Sequence, residues 1–510
     1  MHIFSFSPFG YEGTVVSVEV DLRRGIPAVD IVGLADGAVK ESRERMRSAI
    51  RNSGFDFPSE RVLISLAPAD LKKEGAGFDL ALALAVLDRQ RNGEGGDGKI
   101  LVIGELELSG IVRPVRGIHA AASTALSLGI SACIVSAENE AEAREVRGMR
   151  VFGAETLCEA FSAYCDPDIF ITESGECEKQ SAPENSEEIE GVFFPDEKSS
   201  LTFSDVIGQR ELIRACQIAA AGGHNLLAVG PPGCGKTMVL QKFPALLPSL
   251  THDEAQSVTR IHSLAGLLSP SNPLKTTAPF RMPHQTASIE GMCGGGSNCR
   301  PGEISLAHNG VLFLDEASEF KTSVLQMLRV PLEIRSVTLS RAGRTSIYPA
   351  GFQLLMAANP CPCGNLGIEG KVCLCSVRSI ENYWKKFSGP LLDRIDIRVL
   401  VCEESRGKKE KPLSLRELRV PIAKAIRAQR ERQGKKNVFL THQEITEYCA
   451  LSEEEQDFLE SESAKRGFSQ RASDGCLKLA RTIADTQSAA KVNLSHLKEA
   501  FSLRQDCSPV

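Results

Sequence analysis

The stretch that decides the fold is Gly230-Pro231-Pro232-Gly233-Cys234-Gly235-Lys236-Thr237. It has the spacing Gly-x-x-x-x-Gly-Lys-Thr, and it lies between an apolar run at 225–229 and a segment of helical character at 238–240. A strand, a glycine-rich loop and a helix in this order are typical of a phosphate-binding loop. In such a loop Lys236 reaches the β- and γ-phosphates of ATP and Thr237 holds Mg²⁺. The alternative is a chance glycine turn, which the flanking pattern disfavours.

Two further apolar runs end in polar residues. The run 310–314 ends in Asp315 and Glu316, and the run 351–358 ends in Asn359. Continuous apolar runs are typical of parallel strands covered on both faces. Asp315 is predicted to hold Mg²⁺ through water, Glu316 to polarise the attacking water and Asn359 to position it. The alternative for the two carboxylates is a solvated strand end.

The chain has 510 residues, enough for about three or four domains. Residues 1–165 predict an α/β unit, and residues 172–200 are polar and acidic, as in a flexible linker. Residues 201–402 predict the α/β nucleotide core with a parallel sheet. Residues 412–510 predict a helical lid.

The net charge is −6, so any nucleic-acid binding must come from a local basic surface. No apolar run reaches membrane-spanning length, and the first residues lack a secretory pattern, so we expect a cytoplasmic protein without membrane contact. The 16 cysteines favour reduced thiols or metal ligands over a disulfide scaffold.

Four long strings carry a resemblance to a known family. They are 32–36 with 39–45, Ala67-Pro68-Ala69-Asp70-Leu71, 300–310 and Ser388-Gly389-Pro390-Leu391-Leu392-Asp393-Arg394-Ile395-Asp396. Over almost its full length the chain resembles the ComM/YifB-type magnesium-chelatase-like AAA+ ATPases. The resemblance implies a ring, which we expect to be a homo-hexamer. It also implies DNA branch migration and helicase action in the recombination of incoming DNA during transformation.

The resemblance also implies roles for two arginines and for the N-terminal unit. Arg394 resembles the arginine finger that such rings insert into a neighbour's ATP site, and Arg471 resembles the sensor arginine of the lid. The alternative for either is a surface ion pair. The N-terminal unit resembles the Lon protease catalytic domain, with Gly77 at the nucleophile position and His119 at the lysine position. We therefore expect a non-proteolytic docking or DNA-handling domain. Its basic helix at 38–53 is either a binding face or a solvated surface.

Two Cys-x-Cys pairs follow Asn359 closely. They are Cys361 with Cys363, and Cys373 with Cys375. Four thiolates brought together suit tetrahedral Zn²⁺, which predicts a stapled loop beside the ATP site. The alternative is four reduced thiols.

The segment 336–348 alternates on both sides of an Arg-Ala-Gly-Arg turn and predicts a β-hairpin with Arg341 and Arg344 at its tip. In related AAA+ helicases a hairpin in this place projects into the central pore, so these two arginines are the predicted DNA contacts. The glycine-rich insertion 280–296, which includes Gln285, is a second candidate pore loop. The alternative for both segments is a surface loop.

Together these features predict a DNA-translocating ATPase that binds single-stranded or branched DNA without sequence preference. The main alternative is an AAA+ remodeller of a protein partner held by the N-terminal domain. A third hypothesis, an inactive ATP-binding scaffold, is disfavoured by the intact set of catalytic residues.

Overall fold

The computed structural model describes residues 2–73, 75–91, 98–166, 186–196, 202–206, 208–296, 298–341, 344–367, 371–402 and 413–506. Among these residues, no helix combines the length and the apolar character that crossing a membrane requires.

The N-terminal domain is a mixed β-sheet with helices packed against it. Its strands are β1 (His2–Ser7), β2 (Thr14–Arg23), β3 (Val29–Val32), β4 (Arg61–Ala67), β5 (Lys99–Val102), β6 (Glu105–Leu106), β7 (Val112–Arg113), β8 (Ala132–Ser136) and β9 (Arg150–Ala154). Its helices are α1 (Gly37–Asn52), α2 (Asp79–Gln90), α3 (Ile118–Ser127), α4 (Glu140–Arg144) and α5 (Leu157–Cys165). Within the described residues the large sheet has the order β3-β4-β2-β1-β5-β8-β9. The apolar face of α2, buried from Leu80 to Leu87, covers this sheet.

A β-hairpin occupies part of the interval predicted as a flexible linker. It consists of β10 (Ser186–Ile189) and β11 (Val192–Pro195), and Phe194 is fully buried in the core of the next domain. The buried guanidinium of Arg419 donates to the carbonyl of Pro195 at 2.9 Å and lies over the Phe194 ring. The linker prediction for 172–200 was therefore wrong over this hairpin, because Ile189, Val192 and Phe194 form an apolar face. The remainder, 172–185 and 197–200, lies outside the described residues.

The nucleotide core is a parallel sheet with helices on both faces. Its strands are β12 (Leu226–Val229), β13 (Phe280–Arg281), β14 (Gly294–Gly295), β15 (Arg300–Pro301), β16 (Val311–Leu314), β17 (Ser336–Arg341), β18 (Arg344–Pro349), β19 (Gln353–Ala358) and β20 (Ile397–Leu400). Its helices are α6 (Arg210–Gly222), α7 (Lys236–Gln241), α8 (His252–Ala265), α9 (Ile289–Cys293), α10 (Glu303–Leu306), α11 (Thr322–Met327), α12 (Arg329–Ile334), α13 (Val377–Trp384) and α14 (Gly389–Leu392). The described strands of the parallel sheet have the order β13-β16-β19-β12-β20. The residues of β12, β16 and β19 are all buried, as continuous apolar strands of a covered parallel sheet should be.

The C-terminal residues form the predicted helical domain. Its helices are α15 (Leu415–Gln433), α16 (His442–Tyr448), α17 (Glu453–Lys465), α18 (Gln470–Thr486) and α19 (Leu494–Ser502). Apolar side chains of α15, α18 and α19 pack in one continuous core with side chains from one face of the parallel sheet, including those of β12. The lid is thus packed on the nucleotide core.

The N-terminal domain docks on helix α8 of the nucleotide core. His119 donates through Nε2 to Gln256 Oε1 at 2.7 Å, because the Gln256 amide nitrogen already donates to the Glu145 carbonyl. Ser263 donates to Glu142 at 2.5 Å, and Arg260 donates to Thr124 Oγ1 at 2.9 Å. These contacts spread along α8 and fix the two domains to each other.

Candidate functional site

Three neighbouring strands end at the same edge of the parallel sheet. Strand β19 pairs in parallel with β12 on one side and with β16 on the other, and the register matches Val229 with Ala358 and Leu314 with Met356. Gly230, Asp315 and Asn359, which follow these strands, therefore share one edge. The structure brings together the residues that the sequence assigned to an ATP site.

The glycine-rich loop has the conformation that phosphate binding requires. Gly233 and Gly235 have φ angles of 85° and 87°, which glycine adopts readily and other residues rarely do. At Gly230 a Cβ atom would lie 2.2 Å from the carbonyl oxygen of Val401, so no side chain fits there. Lys236 donates to the carbonyls of Gly230 and Pro231 at 2.6 and 2.7 Å, and burial lowers the pKa of its ammonium group. The lysine is thus held in the mouth of the loop.

The two predicted magnesium ligands are neighbours. The Thr237 hydroxyl donates to Asp315 Oδ1 at 3.0 Å. A hydroxyl and a carboxylate oxygen side by side are the hard ligands that Mg²⁺ accepts. The donor set at this edge therefore fits magnesium.

Glu316 has a partner that the sequence did not reveal. Its backbone is left-handed, with a φ angle of 46°, and Gln285 Nε2 donates to Glu316 Oε2. Strand β13 lies beside β16 in parallel, so the residues that follow β13 reach the same sheet edge. Gln285, within the segment 280–296 that is predicted as a second pore loop, therefore contacts a residue predicted for the ATP site. Only the position of β13 in the sheet could have shown this contact.

Aromatic residues of α13 support the end of β19. Tyr383 Oη donates to the carbonyl of Asn359 at 2.9 Å, and Trp384 Nε1 donates to the carbonyl of Pro360 at 3.1 Å. These bonds use the backbone and leave the Asn359 side chain to the site.

The four cysteines predicted as metal ligands form one cluster. Their sulfur atoms all lie within 4.8 Å of one another, and Cys361 lies 3.4 Å from Cys363 and 3.7 Å from Cys373. Tetrahedral Zn²⁺ with Zn–S bonds of about 2.3 Å separates its sulfur ligands by about 3.8 Å, so the cluster fits zinc. A hydrogen bond from the Asn365 amide is the largest cause that lowers the pKa of Cys363 to about 6.

The cysteine loop packs against the phosphate-binding loop. A Cβ atom built on Gly364, whose φ angle is 76°, would lie 2.7 Å from Pro232 Cδ. The two loops touch where only glycine fits, so the loop that carries the cysteine cluster supports the phosphate-binding loop.

The two predicted arginines lie together, at the opposite edge of the sheet. Arg394 and Arg471 both bind the carboxylate of Glu333, and Arg394 also donates to the Pro390 carbonyl at 2.6 Å. The Arg394 carbonyl accepts a hydrogen bond of 2.8 Å from Asn225, the residue that precedes β12. From Asn225 to Gly230 the chain runs about 16 Å, at about 3.3 Å per residue. Arg394 is therefore remote from the ATP site of its own chain.

The predicted arginine hairpin is present as β17 and β18. Their register pairs Arg341 with Arg344 at the tip, whose residues 342 and 343 lie outside the described part. Arg341 is exposed, but the Arg344 guanidinium lies 3.5 Å from the ring centroid of Phe9, in the N-terminal domain. The hairpin is thus in contact with both domains.

Comparison with known proteins identifies the family. The profile "Magnesium chelatase, subunit ChlI" matches residues 202–409, "Subunit ChlI of Mg-chelatase" matches 18–139, and the C-terminal profile of the same subunit matches 414–504. YifB of Escherichia coli is 39% identical over 97% of this chain and 95% of its own. Competence protein ComM of Haemophilus influenzae is 37% identical over 98% of this chain and 97% of its own.

The chain belongs to the magnesium-chelatase-like family that contains YifB and ComM. It is an AAA+ ATPase with the α/β core and helical C-terminal region expected from the sequence.

The N-terminal domain also has a more distant relative. Lon protease of Methanosarcina barkeri is 30% identical over 28% of this chain and 18% of its own. At Gly77 a Cβ atom would meet only Ile103 and Val115, at 3.6 Å or more, so the position has room but no side chain. Burial is the largest cause that lowers the pKa of His119 to about 4, which leaves a neutral imidazole in the contact with α8.

The position of Glu316, at the sheet edge that also carries Gly230, Asp315 and Asn359, predicts the effect of one substitution. Glu316→Gln should still bind ATP, because the phosphate-binding loop is unchanged. It should hydrolyse ATP at least ~10²-fold more slowly, because it loses the base that orients water. The measurement is steady-state phosphate release beside binding of a fluorescent ATP analogue. Glu319→Gln, at an exposed position three residues on, is the matched control. Near-normal turnover in Glu316→Gln would contradict the assignment.

Proposed function

We propose that this protein is a DNA-translocating AAA+ motor that drives branch migration or strand separation in the recombination of incoming DNA. The observation that carries the proposal is the hairpin that presents Arg341 and Arg344 in a chain of net charge −6. Phosphate contacts of this kind need not read sequence. The full-length similarity to a protein named for competence supports the same function.

Hydrolysis of ATP by this motor uses the residues at the ends of β12, β16 and β19. The backbone of the glycine-rich loop and Lys236 bind the phosphates, while Thr237 and Asp315 would hold Mg²⁺. When bound, the metal ion neutralises charge on the phosphates. Glu316 accepts a proton from the attacking water, and Asn359 orients that water. The Gln285 amide donates to the Glu316 carboxylate and orients it.

The placement of the two arginines supports a ring. Arg394 and Arg471 share Glu333 at the sheet edge away from their own phosphate-binding loop. A guanidinium that neutralises a γ-phosphate must lie beside it, so both arginines serve the site of a neighbouring subunit. We propose a homo-hexamer in which each ATP site is completed in this way.

We further propose that the cysteine cluster holds one structural Zn²⁺. The ligand distances and the four-thiol set support it. The metal would fix the loop that touches Pro232 and would take no part in the reaction. The described cysteines are all free thiols, as expected for the cytoplasm, where we place this protein.

The proposed function predicts ATPase stimulation by DNA. The rate should rise with single-stranded and forked DNA, and the protein should move three- or four-stranded junctions. Arg341→Ala with Arg344→Ala should abolish stimulation and junction movement and reduce the salt slope of DNA binding by about one unit per lost phosphate contact. Arg416→Ala with Arg427→Ala, which removes two exposed arginines of α15, is the control. Stimulation by a protein, with no response to DNA, would favour the remodeller instead.

The shared ATP site predicts complementation between subunits. Arg394→Ala should fold and bind ATP but fail to hydrolyse it, and Lys236→Ala should fail to bind it. Mixing the two variants should restore part of the ATPase activity, because some sites then combine an intact loop with an intact arginine. The shared site is wrong if mixing restores no activity and the protein stays monomeric with ATP.

The cysteine cluster predicts about one zinc ion per chain, from four ligands around one centre. Elemental analysis of purified protein should find it, and Cys361→Ser with Cys373→Ser should lose it. Cys402→Ser, at an exposed thiol outside the cluster, should keep it. Wild-type protein without zinc would refute the metal site.

A further inference from the structure

The turn between β1 and β2 of the N-terminal domain lies directly on the arginine hairpin. The Tyr11 amide donates to Ser346 Oγ at 3.0 Å, and the Tyr11 ring meets Tyr348 edge-on at 5.8 Å. The Gly10 amide donates to the Asn298 carbonyl at 3.1 Å. The turn thus contacts β18 through backbone and side chains.

Gly10 is the point of closest approach. Its φ angle is 63°, and a Cβ atom there would lie 1.9 Å from Ser346 Oγ. The contact therefore requires a glycine for both its conformation and its space. Glycine at position 10 therefore lets the turn lie this close to β18.

Arg260 of α8 locks the turn in place. Its Nε donates to the Tyr11 carbonyl at 3.0 Å, and its guanidinium lies 4.7 Å from the centroid of the Tyr11 ring. The same guanidinium donates to Thr124 of α3. One partly buried side chain thus joins the turn, the helix α3 and the nucleotide core.

This arrangement places Phe9 under Arg344. The guanidinium carbon lies 3.5 Å from the ring centroid, within the range of a cation–π contact. Stacking uses the flat face of the guanidinium and leaves its N–H groups, which lie in the plane, available as donors. Among the described residues Arg344 has no ion pair or hydrogen bond from its side chain. Its donors are held in one direction and are free to bind an anion.

We propose that Phe9 and the hairpin arginines form one composite site for the phosphodiester backbone of single-stranded DNA. Phe9 is a positioning residue, because it orients the Arg344 guanidinium through its ring face. Arg341, opposite Arg344 in the ladder, supplies the second cation. This inference rests on the proposed function, and it adds that the N-terminal domain supplies part of the DNA-binding site. The domain that lacks the protease residues takes part in DNA binding.

The test separates the ring face of Phe9 from its bulk. Phe9→Leu keeps an apolar side chain but loses the face, so it should bind labelled oligothymidine about 3- to 10-fold more weakly than wild type. Phe9→Tyr keeps the face and should bind like wild type. In an Arg344→Ala background, Phe9→Leu should cause no further loss, because the partner of the ring is already absent. Binding of a fluorescent ATP analogue checks that each variant is folded.

The outcomes distinguish this inference from the proposed function. The inference is overturned if Phe9→Leu binds oligothymidine like wild type while Arg344→Ala binds weakly. It is also overturned if Phe9→Tyr is as weak as Phe9→Leu, or if the losses from Phe9→Leu and Arg344→Ala add. If the wild-type protein binds no oligothymidine, the proposed function fails together with the composite site.

Discussion

The parallel pairing of β19 with β12 and β16 is the constraint on which the rest of the molecule depends. It brings the ends of three strands to one edge, so the phosphate-binding loop, the two carboxylates and Asn359 meet although they are separated by up to 129 residues between Gly230 and Asn359. Parallel strands need long connections and cover on both faces. Those connections supply α8, the arginine hairpin and the contact from Gln285.

In the proposed ring, the same pairing leaves the opposite edge of the sheet to serve a neighbouring subunit. A residue at the amino end of β20 is a full strand length away from the phosphates, whatever the conformation of its side chain. Arg394 and Arg471 both lie on that side, held by the single carboxylate of Glu333. The proposed division of labour between neighbouring chains therefore follows from strand direction. The arginines pair with Glu333 within one chain and would exchange it for a phosphate in a ring.

The edge that carries the ATP site is supported from outside by two kinds of contact. Tyr383 and Trp384 hold the backbone after Asn359, and the cysteine loop touches the phosphate-binding loop at Gly364. On another side of the core, α8 carries the N-terminal domain. His119, which the resemblance to Lon predicts at the position of the catalytic lysine, is a neutral imidazole whose hydrogen bond helps to hold the two domains together.

The sequence by itself determined the nucleotide core, because the motif at 230–237 and the apolar runs before Asp315 and Asn359 are local patterns. It also determined the hairpin at 336–348, whose alternation and turn lie within one short segment, and it named the four cysteines that cluster. Only the tertiary structure decided the partners of these residues. Gln285 reaches Glu316, Arg471 joins Arg394 on Glu333, and Phe9 lies under Arg344. Each contact joins parts of the chain far apart in sequence, and no periodicity or spacing reports which strands lie side by side. The hairpin at 186–195 was missed for a related reason: its polar residues outnumber the three apolar ones that the core buries.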